Sequence, residues 1–397
     1  MKSKKPKNKP TETIYMQYEM FNTKNNIHIS AGLPCLSALP FPNILKTMTN
    51  DLKKEINPCL LQYGFPSGYF RFKKKLAKFI ENQEKRTVDP KSLFITNGAT
   101  HGILLSIITL AQGMASVIVE RPTYFPLIEL FKELNLNLHF ADVDNEGIST
   151  QDIRRHLRNI NGKIFIHCTP YFQNPTGINM SEKRADELLN IVKKNTNVYL
   201  LSDNVYKMLN FNSSSNSYVL NNCAKRIIQI GSFSKIFCPG LRVGWLEAEK
   251  SIIHRIEESG YVQSSGGFNP IICRLIEKII GTKNIDTIIK TWIKFLEEKQ
   301  QDLVGSLKKI FPESEFNVPN GGYYIWVNLK NDLIANSAFR KYLKDKKGVV
   351  YVPGTKCAGN NNLYRTYTRL GYATYKDDRL IKGLKILKKG LDKFKNL

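Results

Sequence analysis

Residues 226–248 read RIIQIGSFSKIFCPGLRVGWLEA: one β-rich run, a turn carrying Lys235 just after Ser232 and Ser234, then a Gly-Leu-Arg turn and a second β-rich run. Upstream of this block, short runs of the same kind recur as SLFIT (92–96), SVIVE (116–120), LNLHFADV (136–143), GKIFIHC (162–168) and NVYLLSD (197–203). Longer helical patterns separate them, so the alternation predicts an α/β fold: a mainly parallel seven-stranded sheet with helices on both faces. GATHGILLSIITLA, from Gly98, opens a long apolar helix between the first two of these strands.

Working outward, the pattern changes beyond about residue 280 to one long charged helix, IDTIIKTWIKFLEEKQQDLVGSLKKI, then a strand pair around GGYYIWVNL and VVYVPG and a closing basic helix. This predicts a smaller α+β domain over 283–397, beside a large domain over 51–282. Residues 28–50 carry Pro34, Pro40 and Pro42 and no clear period, which suits a segment packed on the smaller domain. Residues 1–27 read as a flexible basic tail, without the apolar core of a secretory leader. NSSSNS at 212–217 reads as a surface loop.

At 397 residues the chain is long enough for two domains, and 42% apolar with 23% charged residues is the balance of a globular enzyme. The net charge of +25 raises polyanions as partners, but the lysines are scattered, as in KKKLAKF and LKILKKGLDKFK, and no module for reading nucleic acid accompanies them. Solvated surface is the simpler account, and nucleic acid and membrane are set aside as partners. Seven cysteines without a CxxC pair or metal-like clustering suit a reducing compartment such as the cytoplasm.

Open α/β sheets bind ligands beyond the carboxyl ends of their strands. Five strand ends here carry polar groups: Asn97-Gly98-Ala99-Thr100, Pro122-Thr123-Tyr124, Asn174-Pro175-Thr176-Gly177, Ser202-Asp203-Asn204-Val205-Tyr206 and Gly231-Ser232-Phe233-Ser234-Lys235. Gly98, Ala99 and Thr100 form either a plain helix cap or an anion cradle of free backbone N–H groups. Ser232, Ser234 and Arg242 complete the cradle on the second reading, Arg242 through a charge-assisted fork.

The set as a whole resembles the fold-type I class I/II aminotransferases. SxSK with Arg242 seven residues after Lys235, NPTG sixty-one residues before it and DxxY thirty-two before it occur in the family's order, and the likeness runs from about Ile27 to the C-terminus. The resemblance implies pyridoxal 5′-phosphate as cofactor, held by Lys235 as a Schiff base, with Lys235 also shuttling the substrate's α-proton. It places Asp203 on the pyridine nitrogen, Asn174 and Tyr206 on the phenolic oxygen, and Tyr124 against the ring. Gly98, Ala99, Thr100, Ser232, Ser234 and Arg242 hold the phosphate, joined by Tyr63 from the neighbouring subunit of a homodimer.

Arg369, in TYTRLGYAT, matches the arginine that clamps the substrate α-carboxylate, assisted by Asn174 and by Gly32 of SAGLP; Arg365 is the reserve. The Leu-Gly-Tyr after Arg369 departs from the family's usual ending and leaves the register there open. Cys357 lies where related chains carry a bulky aromatic, implying either a wider pocket or a shifted loop.

SAGLP, NGATHG, PTYFP, YFQNPTG, SGGFNP and PNGGYYIWV resemble most the branch of 2-aminoadipate and kynurenine aminotransferases, and also the catalytic domain of MocR-type regulators. The expected activity is ping-pong transfer of an amino group from an L-amino acid to a 2-oxo acid. A C–S lyase or a cyclopropane-forming synthase would use the same lysine, aspartate and tyrosine. A non-catalytic polyanion-binding or regulatory protein is the alternative of another class.

Overall fold

The computed structural model describes residues 26–38, 62–111, 113–212, 225–280, 283–360 and 362–394. The basic tail up to residue 25, Pro40 and Pro42, and the NSSSNS stretch after residue 212 lie outside the described residues.

In chain order the strands are β1 (Ile27–His28), β2 (Leu93–Thr96), β3 (Ala115–Arg121), β4 (Asn137–Asp144), β5 (Gly147–Ile148), β6 (Lys163–Cys168), β7 (Val198–Asp203), β8 (Ile227–Ser232), β9 (Gly244–Glu247), β10 (Glu315–Phe316), β11 (Tyr324–Asn328), β12 (Val349–Val350), β13 (Val352–Pro353) and β14 (Tyr367–Gly371). The main sheet has the order β2-β9-β8-β7-β6-β3-β4-β5. Pairing is parallel from β8 through β4; β9 runs against both β2 and β8, and β5 against β4. All seven strands read from the sequence are present, and the two-residue β5 makes an eighth. It folds back on β4 across the turn Asn145–Glu146, too short to show a period.

Alternation along each strand explains why both faces need helices. Val117, Val119, Phe165 and Leu201 enter one core with the helices Ala99–Leu110, Phe125–Glu133 and Lys250–Glu257. Ile118, Ile164, Ile166 and Leu200 enter the other, with Phe70–Glu84, Glu182–Lys194 and Pro270–Ile280. β2, β3, β6, β7 and β8 all point the same way, so their carboxyl ends share one edge.

The helix Lys283–Ile310 buries Ile288, Ile289, Trp292, Leu296, Leu303 and Leu307 along one stripe. The expected strand pair proves to be a four-stranded antiparallel sheet, β10-β11-β14-β13. β14 lies between GGYYIWVNL and VVYVPG, and VVYVPG itself divides: β12 pairs in parallel with β1 while β13 pairs with β14. Ile27–Cys35 therefore runs against this sheet, with Gly371 N donating to Ile29 O (2.9 Å) and Cys35 N to Ala373 O (2.8 Å). Among the described residues no helix is long and apolar enough to cross a membrane, and the five cysteines there are buried and free.

Candidate active site

Lys235 follows β8 by three residues, in a turn closed by Phe237 N donating to Phe233 O at 2.9 Å. Its carbonyl accepts hydrogen bonds from Tyr323 Oη (2.6 Å) and Trp292 Nε1 (3.0 Å) of the neighbouring layer, so the backbone of the lysine is gripped from across the cleft. Its amine donates to Gly32 O at 2.8 Å and lies 5.4 Å and 5.9 Å from the ring centres of Tyr323 and Tyr206. Burial lowers the pKa of this amine; Tyr324 and Asp203 oppose the shift, and the Arg369 and Arg242 charges reinforce it. A lysine held this way carries a larger neutral, nucleophilic fraction than a solvated one.

Asp203 closes β7 and is 9% exposed. One oxygen accepts Val205 N at 3.4 Å and the other stands 3.8 Å from Nε2 of the buried His167, neither of whose ring nitrogens has a hydrogen-bond partner among the described residues. Two residues beyond Asn204 the chain turns back and buries Tyr206, whose ring meets that of Tyr324 edge-on, centroids 6.1 Å apart.

The NPTG turn is built from below by Gln173. Its carbonyl accepts Gly177 N at 2.6 Å, and its side-chain oxygen accepts Thr176 N (2.9 Å) and Thr176 Oγ1 (2.7 Å). Its amide donates to Pro122 O (2.7 Å) and to the buried Glu120 (3.1 Å), which also accepts Thr169 N at 3.1 Å. Burial pushes the Glu120 carboxyl up to about 8, against the hydrogen bonds it receives and with a small push from Asp203. This buried brace fixes Asn174, whose Oδ1 accepts Arg369 Nη1 at 2.8 Å. Arg369, in the middle of β14, gives its other fork to Ser30 O (3.0 Å) and lies 4.2 Å over the Tyr324 ring; its Nε has no partner among the described residues.

At the opposite end, Gly98 caps the helix Ala99–Leu110 at φ 88° and, having no side chain, makes no side-chain cap bond of its own. Arg242, itself in the left-handed region at φ 52°, reaches over the cap: Nη2 donates to Asn97 O (3.0 Å), and Nη1 to Pro239 O (3.1 Å) and Ser234 Oγ (3.4 Å). A Cβ at residue 98 would stand 2.6 Å from Nη2, so glycine is required by conformation, and any other residue would also displace the Arg242 side chain. Ser232 Oγ donates to Ser234 Oγ (3.0 Å) and accepts Ser234 N (3.1 Å), which aims the second hydroxyl. Open amides, a guanidinium and a hydroxyl around one point make an anion cradle.

Most residues singled out in the sequence thus converge on two adjoining places, the Lys235 cleft and this cradle. Tyr124 caps the helix Phe125–Glu133 close enough to influence Tyr206. Two stand elsewhere. Arg365 is paired with Asp332 at 3.3 Å on the surface, whereas Arg369 is buried beside Asn174. Tyr63 is 84% exposed and rests on Gly266. Cys357 is fully buried behind Trp326 and Val352, and burial pushes its thiol up to about 12. Ser30, Gln173, Tyr323 and Tyr324 lie inside SAGLP, YFQNPTG and PNGGYYIWV, but those motifs assign them no role, and Glu120 and Trp292 carry no motif of their own; only the β-alternation in YYIWV hints that the two tyrosines face opposite ways.

Comparison with known proteins agrees with this geometry. The family model described as aminotransferase class I and II matches residues 25–387. Among curated proteins, the aromatic-amino-acid aminotransferase 1 of Thermococcus litoralis is 24% identical over 378 residues, 93% of this chain and 88% of its own length. The HTH-type transcriptional regulator NorG of Staphylococcus aureus (strain USA300) is 27% identical over 353 residues, 87% of this chain and 77% of its own. In structure, the kynurenine aminotransferase of Pyrococcus horikoshii, solved in complex with PMP, superposes with a TM-score of 0.84 at 24% identity, covering 99% of this chain and 97% of that one.

The residues present suit pyridoxal phosphate: a cradle a Cβ would fill, a buried amine bonded to a carbonyl oxygen, and a buried carboxylate at the end of β7, the strand beside β8. With a family match over more than nine-tenths of its length, the chain belongs to the class I and II aminotransferases, enzymes that depend on pyridoxal phosphate.

Proposed function

We propose that the protein transfers an amino group from an L-amino acid to a 2-oxo acid in two ping-pong half-reactions, with Lys235 holding the cofactor and moving the proton at the substrate's α-carbon. One observation carries this reading: the buried Lys235 amine, its pKa lowered, is enclosed between the Asp203–Tyr206 side of the cleft and the Arg369–Asn174 fork. When bound, pyridoxal phosphate supplies an electron sink for the bond broken at the α-carbon.

The chain supplies the rest. Arg369 clamps the α-carboxylate, and its bonds to Asn174 and Ser30 hold the guanidinium in place beforehand, which reduces the ordering that binding requires. Lys235, with Gly32 O as its resting partner, takes and returns the α-proton. Asp203 keeps the ring nitrogen protonated, Asn174 and Tyr206 hold the phenolic oxygen, and Tyr124 covers the ring. Gly98, Ala99, Thr100, Ser232, Ser234 and Arg242 take the phosphate. Exposed Tyr63, with Phe65 and Tyr261 also exposed, supports a homodimer in which Tyr63 completes the partner's phosphate site.

The test is the absorbance spectrum of the purified protein supplied with pyridoxal phosphate. A band between about 360 and 430 nm should move to about 330 nm on adding L-amino acids and return with 2-oxoglutarate. Lys235→Ala should lose turnover by about a thousandfold or more. A folded preparation with no bound chromophore rejects the reading, and pyruvate with ammonia released without an acceptor points to the eliminating enzyme instead.

A further inference from the structure

Lys235 is held at both ends. Its carbonyl accepts the Tyr323 hydroxyl at 2.6 Å and the Trp292 indole N–H at 3.0 Å, and that N–H also reaches Tyr323 Oη at 3.2 Å, so the three polar groups satisfy one another in a closed triangle. Its amine donates to Gly32 O at 2.8 Å and lies 5.4 Å from the centre of the Tyr323 ring, with the Tyr206 ring at 5.9 Å. One tyrosine thus meets the lysine twice, through its hydroxyl at the backbone and through its ring at the amine.

Both donors are fixed by their surroundings. Tyr323 is 0% exposed and Trp292 1%. The Trp292 indole stacks on Phe295, centroids 5.1 Å apart at 12°, and stands edge-on to Tyr323 at 6.1 Å and 77°. The backbone at Tyr323 is fastened as well: Gly322 N donates to Leu209 O (3.0 Å), and Tyr323 O accepts Tyr372 N (3.1 Å). Packing alone does not call for the hydroxyl, because a phenylalanine would keep the ring and bury one oxygen fewer. Burial holds the Tyr323 phenol well above its ordinary value, against the bond from Trp292, so the hydroxyl remains a donor across the working pH range.

Resting on the reading that Lys235 carries the cofactor, we propose that Tyr323, seconded by Trp292, is a positioning residue that fixes the pivot about which the Lys235 amine swings between the cofactor and the substrate's α-carbon. A group that moves a proton must come within hydrogen-bond reach of it, and an error of about 1 Å there costs about a hundredfold in rate. The bonds to Lys235 O fix where the flexible four-carbon stem starts, and the Tyr323 ring limits where it ends. Arg369 is held separately, by Asn174 and Ser30. Loosening the pivot therefore acts on the proton-moving step and spares amino-acid binding.

Two readouts on the full chain test this, one of them without turnover. In the first, saturating pyridoxal phosphate is added to the cofactor-free protein and growth of the band between about 360 and 430 nm is timed. Tyr323→Phe should slow that growth about tenfold and leave the final spectrum unchanged. In the second, the amino-acid half-reaction is followed with α-protio and α-deutero substrate: kcat should fall about tenfold with a larger isotope effect, while KM for the amino acid holds. Trp292→Phe, which leaves the Tyr323 bond in place, should show the same pattern more weakly, and it decides the matter if Tyr323→Phe does not fold. Variants that lose stability to denaturant yet form the band and turn over at the wild-type rate overturn the proposal, as does a loss carried by KM; the band itself leaves the Lys235 reading standing. No band in wild type sinks both.

Discussion

Half of the cleft stands on strand ends and half on a strand face. The eight-stranded sheet contributes Asp203 and Ser232 as the last residues of β7 and β8, and Gly98, Asn174 and Lys235 from the turns that follow β2, β6 and β8. The four-stranded sheet contributes Tyr324 and Arg369 from within β11 and β14, through side chains that project from one face. A group beyond a parallel strand is aimed by its own turn, so a few neighbouring residues fix it. A group on an antiparallel face is aimed by register, which depends on pairing far away in the chain. Tyr323 and Tyr324 show the consequence: consecutive residues, one gripping the Lys235 backbone and the other reaching the surroundings of its amine.

The comparison predicts that the face-mounted half is less forgiving of conservative change. Arg369→Lys keeps the charge but cannot fork to Asn174 Oδ1 and Ser30 O while also receiving a carboxylate. We expect kcat/KM to fall by about 10- to 100-fold, chiefly through KM for the amino acid, with the cofactor spectrum unchanged. Saturation curves for both half-reactions check this. A fall confined to kcat with KM intact would mean that Arg369 does not bind the carboxylate in the ground state.

On the strand-end half, Gly98→Ala is the corresponding probe. The new Cβ meets Arg242 Nη2 at 2.6 Å and the residue must hold φ 88°, a strain of about 1–3 kcal/mol. Arg242 can swing away, since its side chain is exposed, so the expected result is cofactor retention weakened by about tenfold, read by dialysis and reloading, with the cleft around Arg369 intact. Retention equal to wild type would show that the cradle is not where the phosphate is held.

The same contrast explains what the sequence made legible. The seven long strands and the five strand-end motifs are local, because each is a short apolar run followed by its own turn residues, and they could be read in order. β14 could not: Tyr367–Gly371 is a strand because it lies between β11 and β13, and Gly371 sits where the N-terminal segment crosses at Ile29. That crossing accounts for the Leu-Gly-Tyr that obscured the register of Arg369. The edge-on contact between Tyr206 and Tyr324 joins residues 118 positions apart with no shared motif, and the grip of Trp292 on the Lys235 carbonyl comes from the middle of a helix that reads only as amphipathic. Glu120 looked like the end of a strand, and only its burial against Gln173 marks it as part of the NPTG brace.

Arg365 gives the smallest expected effect and the cleanest control on register. It lies four residues before Arg369, in the turn leading to β14, about half exposed and paired with a still more exposed Asp332 at 3.3 Å. Such a pair contributes at most a few tenths of a kcal/mol, because solvent screens the charges and two mobile side chains must be ordered to make it. Arg365→Ala should therefore shift stability by less than about 0.5 kcal/mol in a denaturant titration and leave KM for the amino acid unchanged. If KM rose to the level of Arg369→Lys, β14 would have to slide by one helical-looking repeat of four residues. That slide would strip Tyr324 of its partner Gly371 and Trp326 of its partner Arg369, and with them the face on which Tyr324 meets Tyr206.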